Sequence, residues 1–160
     1  MDNYIETCKE RTSFALERFL IILSHVPADK LTWAPVPTAK SSLDIAAHCA
    51  GYSHAFANII RDGQFPPTVD EFLGPIHAAI ESITTVEEAE TMLRKGIADA
   101  IAALDTVTPE QIDSIIDAPH AQMPFKFFLT ISALHLENHG GQLDYLQTCW
   151  DDQDVHLSRA

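Results

Sequence analysis

The sequence predicts an all-α protein, a four-helix bundle whose helices are joined in part by long crossover loops. Four long segments repeat their apolar residues at intervals of three and four, which is the spacing of one buried face on a helix. Residues that begin or end helices stand at the limits of these segments. No segment shows the alternating apolar and polar residues, or the paired turn signals, of a sheet. We therefore expect helices and no strands.

Each predicted helix has a recognisable boundary. Pro27 stops the first helix, because proline disfavours helix on its own N-terminal side. Ser41 stands three residues before Asp44, which resembles a capping box with aspartate in place of glutamate, and Gly63 is a typical residue to follow a helix C-terminus. The four helices are expected over about residues 4–26, 41 or 42 to 61, 84 or 85 to 104, and 124–150.

The connections between these helices are uneven in length. Residues 27–40 are rich in proline and predict an extended crossover. Residues 62–83 are expected to hold a short helix near 76–83, and residues 105–123 a helical turn after Pro109. Such connections indicate a bundle that is not simply up-down-up-down. One helical domain is expected over residues 1–150, followed by a polar C-terminal tail at 151–160.

Composition and charge exclude several classes of function. Hydrophobic residues make up 46% of the 160 residues and charged ones 21%, as in an ordinary globular domain. The formal net charge of −13 repels phosphate groups and anionic lipid, so neither nucleic acid nor a membrane is expected as a partner. The first ten residues lack the apolar core of a secretory signal. A cytoplasmic protein is therefore expected.

The three cysteines, Cys8, Cys49 and Cys149, are widely spaced and form no Cys-x-x-Cys pair. An odd and sparse cysteine count fits a reducing compartment and excludes a disulfide framework. Each cysteine falls on the apolar face of its predicted helix. We therefore interpret all three as small core residues.

The last predicted helix carries the most informative polar residues. His135, His139 and Gln142 fall within an arc of about 60° at the centre of its apolar face. Burying such groups costs about 1–3 kcal/mol each unless something satisfies them. Histidines four residues apart lie on one face of a helix and can reach the same ion. The alternative is a chance pair of core histidines, since the chain has eight histidines.

A third histidine belongs to the second helix. His48 lies on the apolar face of that helix, whereas His54 points to the other side and is expected to be solvated. Three inward histidines on two helices of a bundle are better explained by a bound cation than by three separate core residues. The remaining histidines are expected to be exposed at helix ends or in loops: His25, His77, His120 and His156.

Two motifs resemble those of the DinB/YfiT superfamily. The run His135-Leu-Glu-Asn-His139-Gly-Gly-Gln142 is similar to the family's closing His-x-x-x-His-x-Gly-Gln motif, and the stretch from Trp33 and Pro35 to His48 resembles its Trp-x-Pro segment followed by a serine-capped helix. The resemblance implies a four-helix bundle that binds zinc, nickel or a similar divalent ion through His48, His135 and His139. It also implies a homodimer, and an activity like that of relatives that use low-molecular-weight thiols. Gly140 stands where the family often has a basic residue, which weakens a role for an anionic thiol.

The predicted chemistry follows from an open site. Three imidazoles leave a coordination position free, as in catalytic rather than structural zinc sites, and an ion there lowers the pKa of a thiol or a water molecule. We therefore predict thiol transfer or hydrolysis on a small electrophilic substrate. The alternative is a non-catalytic, stress-related module that binds a metal or small ligand.

Two further residues are candidates for orienting the ligands. Asp44 lies one turn before His48 and either accepts a hydrogen bond from that imidazole or only favours the helix dipole. Gln142 either bonds a ligand or bound water, or packs with backbone partners. Leu16 and Leu20 widen the apolar face of the first helix, so a second subunit or the segment at 62–83 is expected to cover it.

Overall fold

The computed structural model describes residues 2–119 and 121–160; Met1 and His120 lie outside the described residues. The described chain forms seven α-helices, one short 3-10 helix and one β-hairpin. The bounds are α1 Asp2–Ser24, a 3-10 helix Ala28–Lys30, α2 Ser42–Asp62, α3 Val69–Glu81, α4 Val86–Leu104, α5 Pro109–Ile112, β1 Ile115–Ala118, β2 Ala121–Pro124, α6 Phe125–Phe128 and α7 Ile131–Cys149.

The four long helices α1, α2, α4 and α7 form the predicted bundle. α2 packs against α4 over most of its length and also contacts α3 and α7, while α1 packs against α7 and α4. The side chains between them form a continuous apolar core with Phe19, Ile45 and Leu93 fully buried. A second cluster around Phe56 and Phe128 joins the hairpin and α6 to the end of the bundle. The predicted fold class is confirmed.

The predicted capping signals act as expected. Ser41 is the N-cap of α2, and its side chain and that of Asp44 satisfy each other's backbone N–H groups in a capping box. Thr85 and Glu88 make the same arrangement at the start of α4. Gly63 ends α2 with a φ of 67°, a left-handed conformation that glycine adopts without a steric penalty. These boundaries were predictable because capping depends on neighbouring residues only.

Two helices differ from the sequence prediction. α3 covers Val69–Glu81 and begins seven residues before the expected short helix, with Pro75 inside it. The Thr68 hydroxyl accepts a hydrogen bond from the Glu71 N–H and starts this helix early. The last predicted helix is divided into α6 and α7, with residues 129–130 between them.

The expectation of no strands is wrong. β1 and β2 form an antiparallel hairpin in which Ile115 faces Pro124 and Ala118 faces Ala121. Each strand is four residues long, and Ile116 is the one fully buried residue of the pair. So short a segment with one buried position shows no alternation that a sequence pattern could detect.

The α2–α4 interface depends on an unusually close approach of the two helices. A methyl group added at Gly96 of α4 would lie 1.9 Å from the Ser53 Oγ atom of α2. Ser53 is buried, and its hydroxyl donates a hydrogen bond to the Ala50 carbonyl. Close packing therefore requires glycine at position 96. The backbone conformation does not require it, because Gly96 is not in a left-handed conformation.

Residues 151–160 lie against α1. The Arg18 guanidinium donates a hydrogen bond to the His156 carbonyl, and the His25 ring contacts the Ser158 carbonyl at 2.7 Å. His25 and His156 stack with ring centroids 3.7 Å apart, and the His156 Nε2 atom lies 2.9 Å from a carboxylate oxygen of Asp152. Both histidines are half-buried, so the expectation that they are exposed is wrong, whereas His77 is exposed.

The cysteine prediction is confirmed for two of the three residues. Cys8 and Cys49 are buried, but Cys149 is exposed. The inward face at the end of α7 includes Leu143, Leu146 and Gln147, which leaves Cys149 outside it. Within residues 2–119 and 121–160, no helix is both long and apolar enough to cross a bilayer.

Candidate metal centre

Three histidines from two helices meet inside the bundle. His48 lies in the middle of α2, and His135 and His139 lie one turn apart on α7. The Nε2 atoms of His48 and His135 are 3.2 Å apart. The ring centroid of His139 lies 4.6 Å from that of His48 and 4.5 Å from that of His135. The structure thus brings together the three residues that the helical periodicity placed on inward faces.

Burial keeps two of these imidazoles neutral. Desolvation lowers the pKa of His48 to about 4, with smaller electrostatic effects from His139 and Lys40 in the same direction. Desolvation also lowers the pKa of His135 to about 3, assisted by repulsion from His139 and His48. A neutral imidazole has one nitrogen lone pair that is free to bind a cation. At neutral pH these two side chains are therefore in the form that a metal requires.

Gln142 orients the third histidine. Its Oε1 atom lies 2.7 Å from the Nδ1 atom of His139. When Nδ1 carries the proton, it donates to this oxygen, and the Nε2 lone pair is left for a ligand. Gln142 itself is exposed, so its predicted position in the centre of the buried face is wrong. Its side chain still reaches His139, because residues three positions apart lie on one face of a helix.

Asp44 makes no hydrogen bond to His48, and the structure describes both residues. Its Oδ2 atom accepts hydrogen bonds from the Ser41 N–H at 2.9 Å and from the Ser41 hydroxyl at 2.7 Å. The carboxylate is therefore occupied with the capping box at the start of α2. Of the two interpretations of Asp44, the structure supports the local role at the helix terminus.

Aromatic rings surround the histidines, and sequence reasoning assigned them no role at the site. The Tyr52 ring centroid lies 4.6 Å from that of His48 and 5.4 Å from that of His135. Phe56 meets His135 edge to face at 5.2 Å. Tyr52 and Phe56 follow His48 at four and eight residues on the same helical face, and this spacing was the available signal. These rings exclude water from one side of the cluster and contribute to the low pKa values.

The donor set fits a divalent cation. The available ligand atoms of the three histidines all lie within 4.8 Å of one another. Nitrogens that share one zinc ion at about 2.0–2.1 Å lie roughly 3–4 Å apart, a range that includes the His48–His135 separation. Imidazole is a preferred ligand of zinc, copper, iron and nickel. A hydrogen bond between the neutral rings of His48 and His135 alone would not explain why the His139 ring lies beside them.

The other histidine of α2 is not part of this cluster. The Nδ1 atom of His54 lies 3.2 Å from an Asp99 carboxylate on α4, and its side chain is 37% exposed. Its position away from the apolar face agrees with the prediction. Its contact with Asp99 was not predicted, since Asp99 comes from another helix.

Two comparisons with known proteins agree on the family. The model of the DinB superfamily matches residues 11–143. The crystal structure of a DinB-like protein from Bacillus subtilis superimposes with a TM-score of 0.60 at 19% sequence identity, covering 94% of this chain and 98% of that one. No curated protein matches the sequence. The family match over most of the chain, together with the bundle shared with the Bacillus protein, shows that this chain belongs to the DinB superfamily.

Proposed function

We propose that this protein is a metal-dependent enzyme that binds one divalent ion, zinc or nickel, through His48, His135 and His139. Thiol transfer to, or hydrolysis of, a small electrophilic substrate is the reaction that fits this site best. The observation that carries the proposal is the convergence of three half-buried imidazoles on the inward faces of α2 and α7, where apolar side chains would cost less. No fourth histidine and no cysteine or carboxylate joins the set among the described residues, and three protein ligands are typical of catalytic zinc sites.

The residues of the chain supply binding, orientation and exclusion of water. When bound, the ion would lower the pKa of a thiol or a water molecule and polarise an electrophile. His48 and His135 would present neutral nitrogens, because burial lowers their pKa values. Gln142 would hold the His139 ring in one orientation through the Nδ1 hydrogen bond. Tyr52 and Phe56 would shield one side of the site from solvent.

The co-substrate in the transfer reaction would be a low-molecular-weight thiol. Gly140, where a basic residue would have marked an anion site, is buried against α1, and a methyl group added there would lie 3.6 Å from Ile22. A longer side chain at this position would point at α1, away from the histidine cluster. The absence of a basic residue at 140 therefore reflects the packing of α7 against α1.

The decisive assay measures turnover by zinc- or nickel-loaded protein. We expect conjugation of a thiol such as cysteine to a chlorodinitrobenzene, or hydrolysis of a nitrophenyl ester, above the rate without protein. The turnover rate of His48→Ala should be lower by a factor of at least about 100, because disturbing metal ligation reduces activity on this scale. His77→Ala is the matched control, since His77 is an exposed histidine on α3. Metal-loaded protein without turnover in either assay would favour the non-catalytic binding module.

We also propose a homodimer, on the strength of the family resemblance. Leu16 and Leu20 are 8% and 1% exposed within one chain, so they would not form the interface. Phe14 is the apolar residue of α1 that stays 71% exposed, and an interface at α1 would centre on it. Light scattering should give a mass near twice 17.7 kDa. A monomer mass at micromolar concentration would contradict this proposal.

A further inference from the structure

A cleft of about 320 Å³ lies between α2, α3 and the segment that connects them. Its walls are mainly apolar and include the rings of Phe65 and Phe72 and the side chain of Ile76. Ala55 of α2 and Ala79 of α3 lie on opposite walls, where their small side chains leave the space open. A cleft of this size and composition is typical of a site for a small organic molecule.

The charges of the cleft have one sign. Asp62 and Glu71 line it, no lysine or arginine does so among the described residues, and its histidine, His54, contacts the Asp99 carboxylate of α4. Neither carboxylate makes an ion pair within the described part of the chain; Asp62 is also the last residue of α2. The carbonyl end of a helix already carries a partial negative charge, so an aspartate there is unfavourable for the helix itself. Together with aromatic faces, which attract cations, these groups favour a positively charged ligand.

The cleft reaches the neighbourhood of the histidine cluster. Gly51, which lines it, lies one helical turn beyond His48 on α2. The Phe72 ring centroid lies 6.2 Å from that of Tyr52, which in turn contacts the His48 ring. One aromatic ring therefore separates the cleft wall from a proposed metal ligand.

We propose that this α2–α3 cleft binds the substrate's body, and that the substrate carries a flat apolar group and a positive charge. The apolar group packs against the edge-to-face pair of Phe65 and Phe72, whose ring centroids lie 5.5 Å apart, and the charge is held near Asp62 and Glu71. Only the identification of this ligand as the substrate rests on the proposed function. Binding of the ligand itself requires no metal.

Three ring compounds of similar size test the charge preference on metal-free protein. Benzylamine, benzyl alcohol and benzoate are positive, neutral and negative at pH 7, and NMR titration of the α2 and α3 amides gives their dissociation constants. We expect benzylamine to bind roughly tenfold more tightly than benzoate, since two exposed carboxylates attract the ammonium group and repel the carboxylate. Equal or tighter binding of benzoate would overturn the proposal.

Two sets of variants test the location. Ala55→Phe and Ala79→Phe fill the cleft from opposite walls and should abolish benzylamine binding, whereas Ala98→Phe on the exposed face of α4 should not. Asp62→Asn and Glu71→Gln change exposed side chains and should each weaken benzylamine binding about two- to fivefold, with Asp70→Asn as the control. Unchanged binding in the two amide variants would overturn the charge assignment even if the phenylalanine variants fail to fold.

Inhibition of turnover separates the two proposals. If the cleft is the substrate site, benzylamine should inhibit the metal-loaded enzyme competitively, raising KM without changing kcat. Binding without inhibition would overturn the substrate assignment and leave the enzyme proposal standing. If the protein shows no turnover at all, the proposed function fails, and the titrations still decide whether the cleft binds the cation.

Discussion

Replacing His135 with alanine is expected to reduce the bound metal from about one ion per subunit to none. His139→Ala should have the same effect, because two imidazoles on the rim of a hydrophobic core bind a divalent ion far more weakly than three. Elemental analysis of protein purified without chelator measures the stoichiometry directly. His135 is the most instructive position, since its ring contacts those of His48 and His139 and also those of Tyr52 and Phe56.

Two controls show whether the loss is specific. His77→Ala removes an exposed histidine of α3 and should keep the full metal content. Gln142→Leu removes the acceptor at the His139 Nδ1 atom and should keep the ion while weakening its affinity about 10- to 100-fold, as loss of an orienting hydrogen bond does. Full metal in both the His135 and the His139 variants would exclude the three-histidine site.

The same site predicts how stability depends on metal and pH. An ion that binds only the folded chain raises the free energy of unfolding, so EDTA should lower the melting temperature at pH 7. The pKa of His48 is about 4 and that of His135 about 3 in the fold, against about 6.5 in an unfolded chain. The unfolded state therefore takes up protons first, and metal-free protein should lose stability as the pH falls from about 6.5 towards 4. Identical melting curves with and without EDTA would indicate plain core histidines.

Leu20→Asp is expected to unfold the protein. The Leu20 side chain is 1% exposed and packs in the core between α1, α4 and α7. The substitution leaves a cavity and buries a carboxylate without a partner, which together should lower the free energy of unfolding by more than about 4 kcal/mol. Circular dichroism and chemical denaturation measure the effect.

Phe14→Asp on the same helix is the matched control. Phe14 is 71% exposed within one chain, so this variant should keep a folded subunit, and it should give a monomer if the proposed interface centres on Phe14. The comparison also corrects the sequence-based reason for a dimer. Leu16 and Leu20 are buried in the core that α1 forms with the other bundle helices of the same chain, and Ile83, the last residue of the segment at 62–83, belongs to the same cluster. A folded, monomeric Leu20→Asp protein would mean that this face is an interface after all.

The helices and the inward histidines were largely predictable from the sequence. Helical periodicity is a local property, so the apolar faces of α1, α2, α4 and α7 were visible as intervals of three and four residues. The capping box of Ser41 and Asp44 and the glycine at 63 are local as well. The same periodicity placed His48, His135 and His139 on inward faces. Finding which residues of a helix face inward requires no knowledge of how the helices pack.

Features that depend on contacts between distant segments were not predictable. The hairpin has one fully buried residue, too few for a pattern, and α3 continues through Pro75 despite the helix-breaking signal. The docking of residues 151–160 on α1 joins residues more than a hundred positions apart.

By itself, the sequence determined that this protein is a helical bundle with three histidines facing inward, because amphipathic periodicity and capping act within a few residues. Only the tertiary structure decided that the Nε2 atoms of His48 and His135 lie 3.2 Å apart and that the Phe56 ring of α2 meets the His135 ring of α7 edge to face. These outcomes depend on how far two helices approach and which rotamers their neighbours allow. Such packing arises from the whole core at once, so no single segment contains it.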